Sequence, residues 1–224
     1  MLKLYSSLTA KLKAYFKDNA IGLTATASSI SNGGFLLLTA FFVLTKFSSE
    51  EQGFFFTFLS FAALIQLFDF GLSYAGLQTA SHFKARNDIN TLNLLSRQLY
   101  RYSILSALVA FPIISLIGNL VLLQGSMLSV NAVQWHYQWF LFALCVSVNL
   151  PLNTRLALIE GCGSVLKVWQ LRALQEWIAG IVLLVCLAMG LKLWSLSLAW
   201  LARALVSLFF VYENNNIFLD ANYI

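Results

Sequence analysis

Long runs of apolar residues alternate with short polar segments along almost the whole 224-residue chain. Hydrocarbon cannot hydrogen-bond a bare backbone, so a chain that crosses a bilayer does so as helices of about 20 residues. The pattern therefore predicts an all-α, polytopic transmembrane helical bundle of six spans. The predicted spans cover approximately residues 21–47, 54–80, 102–123, 139–158, 177–191 and 193–212.

The segments that flank the spans divide the chain into three parts. Residues 1–20 carry four lysines among regularly spaced apolar residues, which predicts an amphipathic segment lying at the membrane surface. Residues 21–212 form the predicted six-helix lobe. Residues 213–224 form a short polar-to-mixed tail, expected on the cytoplasmic side.

The composition supports the membrane assignment. Apolar residues make up 59% of the chain and charged residues 10%, whereas an ordinary soluble domain is about 25% charged. The net charge of +5 does not indicate a nucleic-acid partner, because the basic residues lie between the apolar runs and not along one helical stripe. The expected partner of most of the surface is the lipid bilayer.

The positions of Lys and Arg predict the orientation. Four precede the first span, four follow the second, and three lie at the end of the fourth span and in the loop after it. The loops on the other side contain only Lys46 and Lys192. By the positive-inside rule, both termini are expected in the cytoplasm, and the expected location is the cell inner (cytoplasmic) membrane.

Residues with catalytic or metal-binding potential are few. The two histidines, His82 and His136, are far apart, and the three cysteines form no CxxC pair. The motifs GxSxG, GxxxxGK and HExxH do not occur. The sequence predicts neither a metal site nor a cofactor, and it predicts that the protein is not an enzyme.

Polar residues in the first span share one side of the helix. Thr24, Ser28, Ser31, Asn32 and Thr39 fall within an arc of about 100° at 3.6 residues per turn. Small and hydroxyl-bearing residues favour close helix packing in membranes. The same stripe is also compatible with the wall of a water-filled cavity, and both interpretations remain open.

The second span contains an aspartate. Gln66, Asp69 and Ser73 share a face, and Asp69 is expected about 22 Å from the outer end of the span, counting about 1.5 Å per residue. A carboxylate at that depth requires a partner or water. It either caps nearby backbone or pairs with a loop cation such as Lys84, or it acts as a gate or a proton-linked group.

Two arginines lie within predicted spans, one in the fourth and one in the sixth. Arg203, nine residues after Trp194, is expected near the midplane, where it could bind an anionic substrate, pair with Asp69 or stack on Trp200. Arg155 is expected at the cytoplasmic edge of the fourth span, where its side chain can reach the interface. Five residues are therefore predicted to bind substrate or to gate: Asp69, Arg203, Asn32, Gln66 and Arg155.

Two segments resemble a known transporter family. The family's pattern is a short loop ending in an acidic residue and glycine, followed by an apolar helix and then Asp-x-Gly. In this chain, residues 51–53 match the first part and Asp69-Phe70-Gly71 match the last. Residues 158–180, LIEGCGSVLKVWQLRALQEWIAG, are similar to the family's loop between its fourth and fifth helices. The chain thus resembles polysaccharide and O-antigen flippases of the multidrug/oligosaccharidyl-lipid/polysaccharide exporter superfamily.

The resemblance implies transport of a lipid-linked oligosaccharide for surface polysaccharide synthesis. It also implies that cationic side chains bind the phosphates of the lipid headgroup. Members of that family have about twelve spans in two lobes, and this chain corresponds to the N-terminal half only. We therefore expect either a truncated relative or a half-transporter that pairs with itself or with another polypeptide. The alternatives are a membrane-embedded glycan-assembly enzyme and a membrane subunit without transport activity.

Overall fold

The computed structural model describes residues 20–127 and 134–213. The predicted surface segment therefore lies outside the described residues apart from Ala20, and so does the tail apart from Glu213. The described helices are α1 (Ala20–Lys46), α2 (Ser49–Ile65), a 3-10 helix (Gln66–Asp69), α3 (Leu72–Ala85), α4 (Ile89–Met127), α5 (His136–Gly161), α6 (Val165–Ala188) and α7 (Trp194–Glu213).

The prediction of an all-α bundle is confirmed. Within the described residues, six helical segments are long and apolar enough to cross a membrane: α1, α2 with the 3-10 helix, α4, α5, α6 and α7. Large apolar side chains cover the outside of the bundle, among them Leu37 with 74% of its surface exposed and Phe209 with 66%. Such an exterior suits hydrocarbon and not water, as expected of a multi-pass membrane protein.

Helix α5 is the centre of the bundle. It packs against α3, α4 and α7, while α6 joins α1 to α7. About 72% of the span in α5 is buried inside the protein, compared with 12% of the span in α1. Helix α1 therefore lies at the periphery of the bundle, where α6 is its main neighbour.

The helices define two ends of the bundle. The end of α1, the residues just before α5 and the link between α6 and α7 meet at one end, since Lys46, Gln134 and Lys192 line a common pocket there. We call this the Lys192 end. The turns between α3 and α4 and between α5 and α6 form the opposite end, which we call the basic end because it carries Lys84, Arg86 and Lys167. The loops rich in basic residues and the loops poor in them, which alternate along the chain, thus lie at opposite ends of the bundle.

Each half of the bundle has its own apolar core. The core nearer the Lys192 end is built around aromatic rings: the Phe58 ring lies 4.9 Å from that of Trp139 and 5.3 Å from that of Phe142. The core nearer the basic end is aliphatic and includes Ala80, Leu158 and Val168. Helices α4 and α5 contribute to both cores, which makes the bundle continuous.

Several helices begin earlier than the apolar runs predicted, because local caps start them. At the beginning of α2, the Glu51 amide donates to the Ser48 hydroxyl and the Ser48 amide donates to the Glu51 carboxylate, at 3.3 and 3.1 Å. This is a capping box. The stretch predicted as the linker after the first span is therefore largely the first turn of α2.

Helix α4 also starts within a predicted loop. The Asp88 carboxylate accepts hydrogen bonds from the Thr91 hydroxyl at 2.6 Å and from the Thr91 amide at 3.1 Å. These bonds hold the pKa of Asp88 below its ordinary value and extend α4 thirteen residues ahead of the predicted span start at Tyr102. Helix α6 also begins earlier than predicted, at Val165 and not near Trp177, although Ser164 at its N-cap makes no side-chain capping hydrogen bond.

The second predicted span is not one continuous helix. Phe70 and Gly71 both adopt left-handed backbone conformations, with φ of 48° and 74°, and they separate α2 and the 3-10 helix from α3. The Ser106 hydroxyl of α4 donates to the carbonyl of Phe68 at this break. A broken helix is tolerated at membrane depth when neighbouring groups satisfy its backbone in this way.

Candidate functional site

A small cavity lies between α1, α2, α6 and α7. Its volume is about 160 Å³, comparable to an engineered cavity that holds one benzene molecule. Its wall is mostly apolar, with two charged side chains and one hydroxyl. The lining residues are Phe35, Leu36, Thr39, Phe55, Leu59, Glu176, Ala179, Gly180, Leu183, Leu196, Ala199, Trp200 and Arg203.

The charged part of the cavity wall is an ion pair between α6 and α7. An Nη of Arg203 lies 2.6 Å from a carboxylate oxygen of Glu176, and each side chain is 27% exposed. Arg203 is the tenth of twenty residues in α7, and Glu176 is the twelfth of twenty-four in α6. The pair therefore lies near half the length of both helices.

An aromatic face supports the arginine from its own helix. The guanidinium carbon of Arg203 lies 4.8 Å from the ring centre of Trp200, about one turn earlier. A cation over an indole face is attracted by the ring quadrupole. The predicted stacking on Trp200 is confirmed, and the guanidinium lies between an aromatic face and a carboxylate.

A second polar contact joins the same two helices beside the ion pair. The Gln175 amide of α6 donates to the hydroxyl of Ser207 in α7, and that hydroxyl donates to the backbone carbonyl of Arg203 at 2.9 Å. Gln175 is 6% exposed and Ser207 is fully buried. This chain of bonds fixes the register of α6 against α7, and it thereby positions Glu176 opposite Arg203.

A glycine shapes the apolar wall of the cavity. A Cβ atom added at Gly180 of α6 would lie 2.6 Å from the ring of Phe35 in α1. The Phe35 ring can therefore lie against the α6 backbone only because position 180 has no side chain. The same ring makes an edge-to-face contact with Trp177, with centroids 5.7 Å apart.

Thr39 is an unusual member of the lining. Its side chain is 5% exposed, and its hydroxyl oxygen has no hydrogen-bond partner among the described residues. A buried hydroxyl usually bonds at least to the backbone carbonyl four residues earlier. At Thr39 the polar stripe on the first span forms part of the cavity wall, whereas the Ser31 hydroxyl of the same stripe donates to the Ala27 carbonyl of its own helix.

Of the predicted site residues whose side chains the structure describes, Asp69, Arg155 and Arg203 lie apart, and Arg203 is the one among these three that lines the cavity. The Asp69 carboxylate accepts hydrogen bonds from the Ser73 hydroxyl at 2.9 Å and from its amide at 3.2 Å, so it caps the start of α3 across the helix break. Capping was one of the predicted alternatives. The predicted continuous helix through Gln66, Asp69 and Ser73 is wrong, because the break at Phe70 and Gly71 places Ser73 in α3 while Gln66 and Asp69 lie in the 3-10 helix.

Arg155 lies in the last two turns of α5, close to the basic end as predicted. Its guanidinium carbon lies 5.3 Å from the ring centre of Tyr100 in α4. Asn32 has its backbone in α1, and Gln66 has its backbone at the start of the 3-10 helix. The side chains of Asn32 and Gln66 lie outside the described part of the structure.

The partner of Arg203 was missed in the sequence. The predicted fifth span began at Trp177, one residue after Glu176, which left that glutamate in a loop. Helix α6 in fact begins at Val165. The signal that was available is the helical spacing of the apolar residues between Val165 and Ile178, interrupted by only three charged positions.

No protein-family model matches the chain, and neither a curated protein nor a solved structure matches it. Among the described residues, no group of three or more His, Cys, Asp or Glu side chains is placed to hold a metal ion.

Proposed function

We propose that this protein is a membrane transporter lobe that moves a lipid-linked oligosaccharide across the cytoplasmic membrane for surface polysaccharide synthesis. The observation that carries the proposal is the Arg203–Glu176 pair in the wall of a cavity, near half the length of α6 and α7. Ionisable residues in that position are costly, and they usually mark a path for substrate or ions.

The chemistry of the pair suits a phosphate-bearing headgroup. A guanidinium presents a planar fork of donors that can bind a phosphate through two parallel hydrogen bonds. Arg203 already uses one such donor on Glu176, so an entering phosphate would exchange for the carboxylate without leaving the arginine unpaired. The Thr39 hydroxyl supplies a further hydrogen bond in the same cavity.

The size of the cavity limits what it can hold. About 160 Å³ accommodates a small group, which is far less than an oligosaccharide requires. In the proposed mechanism the cavity therefore receives one phosphate, and the glycan lies in a cleft completed by a second lobe. That lobe is either a second copy of this chain or another polypeptide. With an even number of spans, two such lobes run in the same direction and can be related by an axis along the membrane normal.

The headgroup can bias the protein toward the inward-open or the outward-open state only if its affinity differs between the two states. The carboxylate of Glu176 supplies such a difference, since it competes with phosphate only in the state in which it contacts Arg203. In each transport cycle the ion pair between Arg203 of α7 and Glu176 of α6 would break and form again, which requires only a small shift between these two helices.

The test is reconstitution of the purified chain in liposomes with a fluorescent polyprenyl diphosphate disaccharide in both leaflets. An impermeant quencher then reports how fast the probe moves outward. We expect movement at least tenfold faster than in protein-free vesicles, and a rate that rises with protein density if two copies form the transporter. Arg203→Lys should slow the movement severalfold because lysine lacks the planar fork.

Two matched variants complete the experiment. Arg172→Lys changes the same residue type in a pair near the basic end, 38% exposed on the arginine side, and should leave the rate unchanged. Thr39→Val removes the unpartnered hydroxyl at nearly constant volume, so it should retain stability and lower the rate. Probe movement no faster than in protein-free vesicles would contradict the proposal and favour the non-transporting subunit.

A further inference from the structure

A second, larger pocket opens at the Lys192 end of the bundle. Its volume is about 590 Å³, within the range typical of small-molecule sites. It lies between the loops that follow α1 and α6 and the beginning of α5, and it is separate in its lining from the Arg203 cavity. Exposed side chains form its mouth, including Lys46, Gln134 and Trp194.

The polar lining of the pocket contains both donors and acceptors. Lys192 Nζ lies 2.6 Å from a carboxylate oxygen of Glu51, and the two side chains are 52% and 14% exposed. Gln134 and Gln138 contribute two side-chain amides, each with a carbonyl acceptor and an NH₂ donor. Such a combination suits a saccharide, whose hydroxyl groups both donate and accept hydrogen bonds.

One lining group is buried and lacks a partner. Gln138 is 8% exposed, and its side-chain carbonyl oxygen has no hydrogen-bond partner among the described residues. A buried acceptor left in this state is unfavourable unless a ligand or an ordered water bonds it. The pocket is thus prepared for a hydrogen-bond donor at that position.

An indole completes the wall. Trp194, the first residue of α7, is 37% exposed and lines the pocket. Aromatic faces pack against the C–H side of a pyranose ring while its hydroxyls bond to amides and carboxylates. The loop before it adopts left-handed backbone at Gly190 and Lys192, with φ of 78° and 46°.

The charges distinguish between ligand classes. Two ammonium groups and one carboxylate line the pocket, and Glu51 already pairs with Lys192. A single carboxylate is too little for a divalent cation, and the two amides and the indole offer contacts that a simple phosphate does not use. The remaining ammonium, on Lys46, favours a sugar that carries a carboxylate of its own.

We propose that this pocket binds an acidic saccharide unit, with Gln138 and Trp194 as its central contacts and Lys46 as the partner of the sugar carboxylate. The chemical class follows from the pocket's own side chains. Its role as the place where a translocated glycan is received rests on the proposed function.

The probe for the test is free glucuronic acid, with glucose and inorganic phosphate as comparisons. The protein is held in lipid nanodiscs, and saturation-transfer NMR reports which ligand protons contact it. We expect transfer to the ring protons of glucuronic acid, and a weaker signal from glucose. Lys46→Gln should remove most of the difference between the two sugars.

Two variants and one control separate binding from folding. Gln138→Leu and Trp194→Leu should each lower the glucuronic acid signal at least fivefold. Gln138→Leu also removes the buried, unpartnered acceptor, so its thermal stability should equal or exceed that of the wild type. Trp169→Leu, which changes a tryptophan near the basic end that contacts Arg172, should leave the signal unchanged.

The inference would be overturned if the glucuronic acid signal were the same in the wild type and in both pocket variants. It would also be overturned if phosphate displaced glucuronic acid and glucose gave no signal. The two proposals fail separately. Sugar binding without probe movement in liposomes would reject the transporter and retain the pocket, whereas movement without sugar binding would do the reverse.

Discussion

Arg203 is held in the interior of the bundle by a carboxylate on α6 and an indole on its own helix. A charge at the centre of a membrane helix costs roughly 3 kcal/mol on insertion scales. A cation–π contact contributes about 0.5–2 kcal/mol, which offsets only part of that cost. Glu176 is therefore the partner on which the arginine depends most.

Glu176→Gln should destabilise the protein by about 3 kcal/mol, because it leaves the guanidinium without a charged partner. Unfolding in a mixed-micelle denaturation series measures the change. The double exchange Glu176→Arg with Arg203→Glu should recover at least half of the loss. If the double exchange recovered none of the lost stability, the two charges would not stabilise each other.

The matched control is Glu160→Gln. Glu160 pairs with Arg172 at 2.9 Å, but that arginine is 38% exposed and lies near the basic end. Because water screens such a pair, we expect a loss of about 1 kcal/mol or less.

Helices α3 and α5 cross closely because the residues at their contact are small. A Cβ atom added at Gly161 of α5 would lie 2.5 Å from the carbonyl oxygen of Leu77 and 2.8 Å from the Cβ of Ala80. A Cβ atom added at Gly76 would lie 3.4 Å from Leu158, an ordinary contact, so the close approach requires glycine at position 161 and not at position 76. Small residues let membrane helices approach in this way, and the contact joins α3 to the bundle beyond the break at Gly71.

Gly161→Ala should therefore destabilise the protein by about 1–3 kcal/mol, since the backbone of α3 must move to admit the methyl group. Thermal unfolding in detergent measures the change. Gly53→Ala in α2 is the control, because a Cβ there meets nothing within 4 Å, and it should be neutral or stabilise by up to about 1 kcal/mol. Equal effects of the two changes would contradict close packing at Gly161.

At the scale of the whole molecule, both ends of the bundle are polar, but the basic end carries more positive charge than the Lys192 end. The basic end combines the turns after α3 and α5 with the first turns of α4 and α6. The positive-inside rule predicts that this end is in the cytoplasm. The native cysteines offer a way to test the orientation, because Cys145 and Cys186 are buried at 3% and 6% exposure while Cys162 is half-buried at the basic end.

A membrane-impermeant maleimide should label Cys162 in inverted membrane vesicles and not in right-side-out vesicles. Burial raises the pKa of the Cys162 thiol, and the nearby Lys84 lowers it in part. Because the thiolate is the reactive form and its fraction is small at neutral pH, the labelling rate should rise on the order of tenfold per pH unit between pH 7 and 8. Ser49→Cys in a Cys162→Ser background lies at the other end and should show the opposite sidedness.

The spans were predictable from sequence because apolar length is a local property. The ends of the helices were not found by apolar length, since Asp88 and Ser48 cap their helices through side-chain hydrogen bonds that a hydropathy pattern does not contain. A search for Ser/Thr/Asp followed three residues later by Thr or Glu would have placed both starts.

The apolar and charged pattern by itself determined that this is a six-span helical membrane protein with one basic end, because the bilayer imposes helix length and loop charge on each segment separately. Tertiary structure decided which groups meet. It paired Arg203 with Glu176, made Asp69 a helix cap and left Thr39 and Gln138 facing cavities, since these outcomes depend on the rotation and register of neighbouring helices.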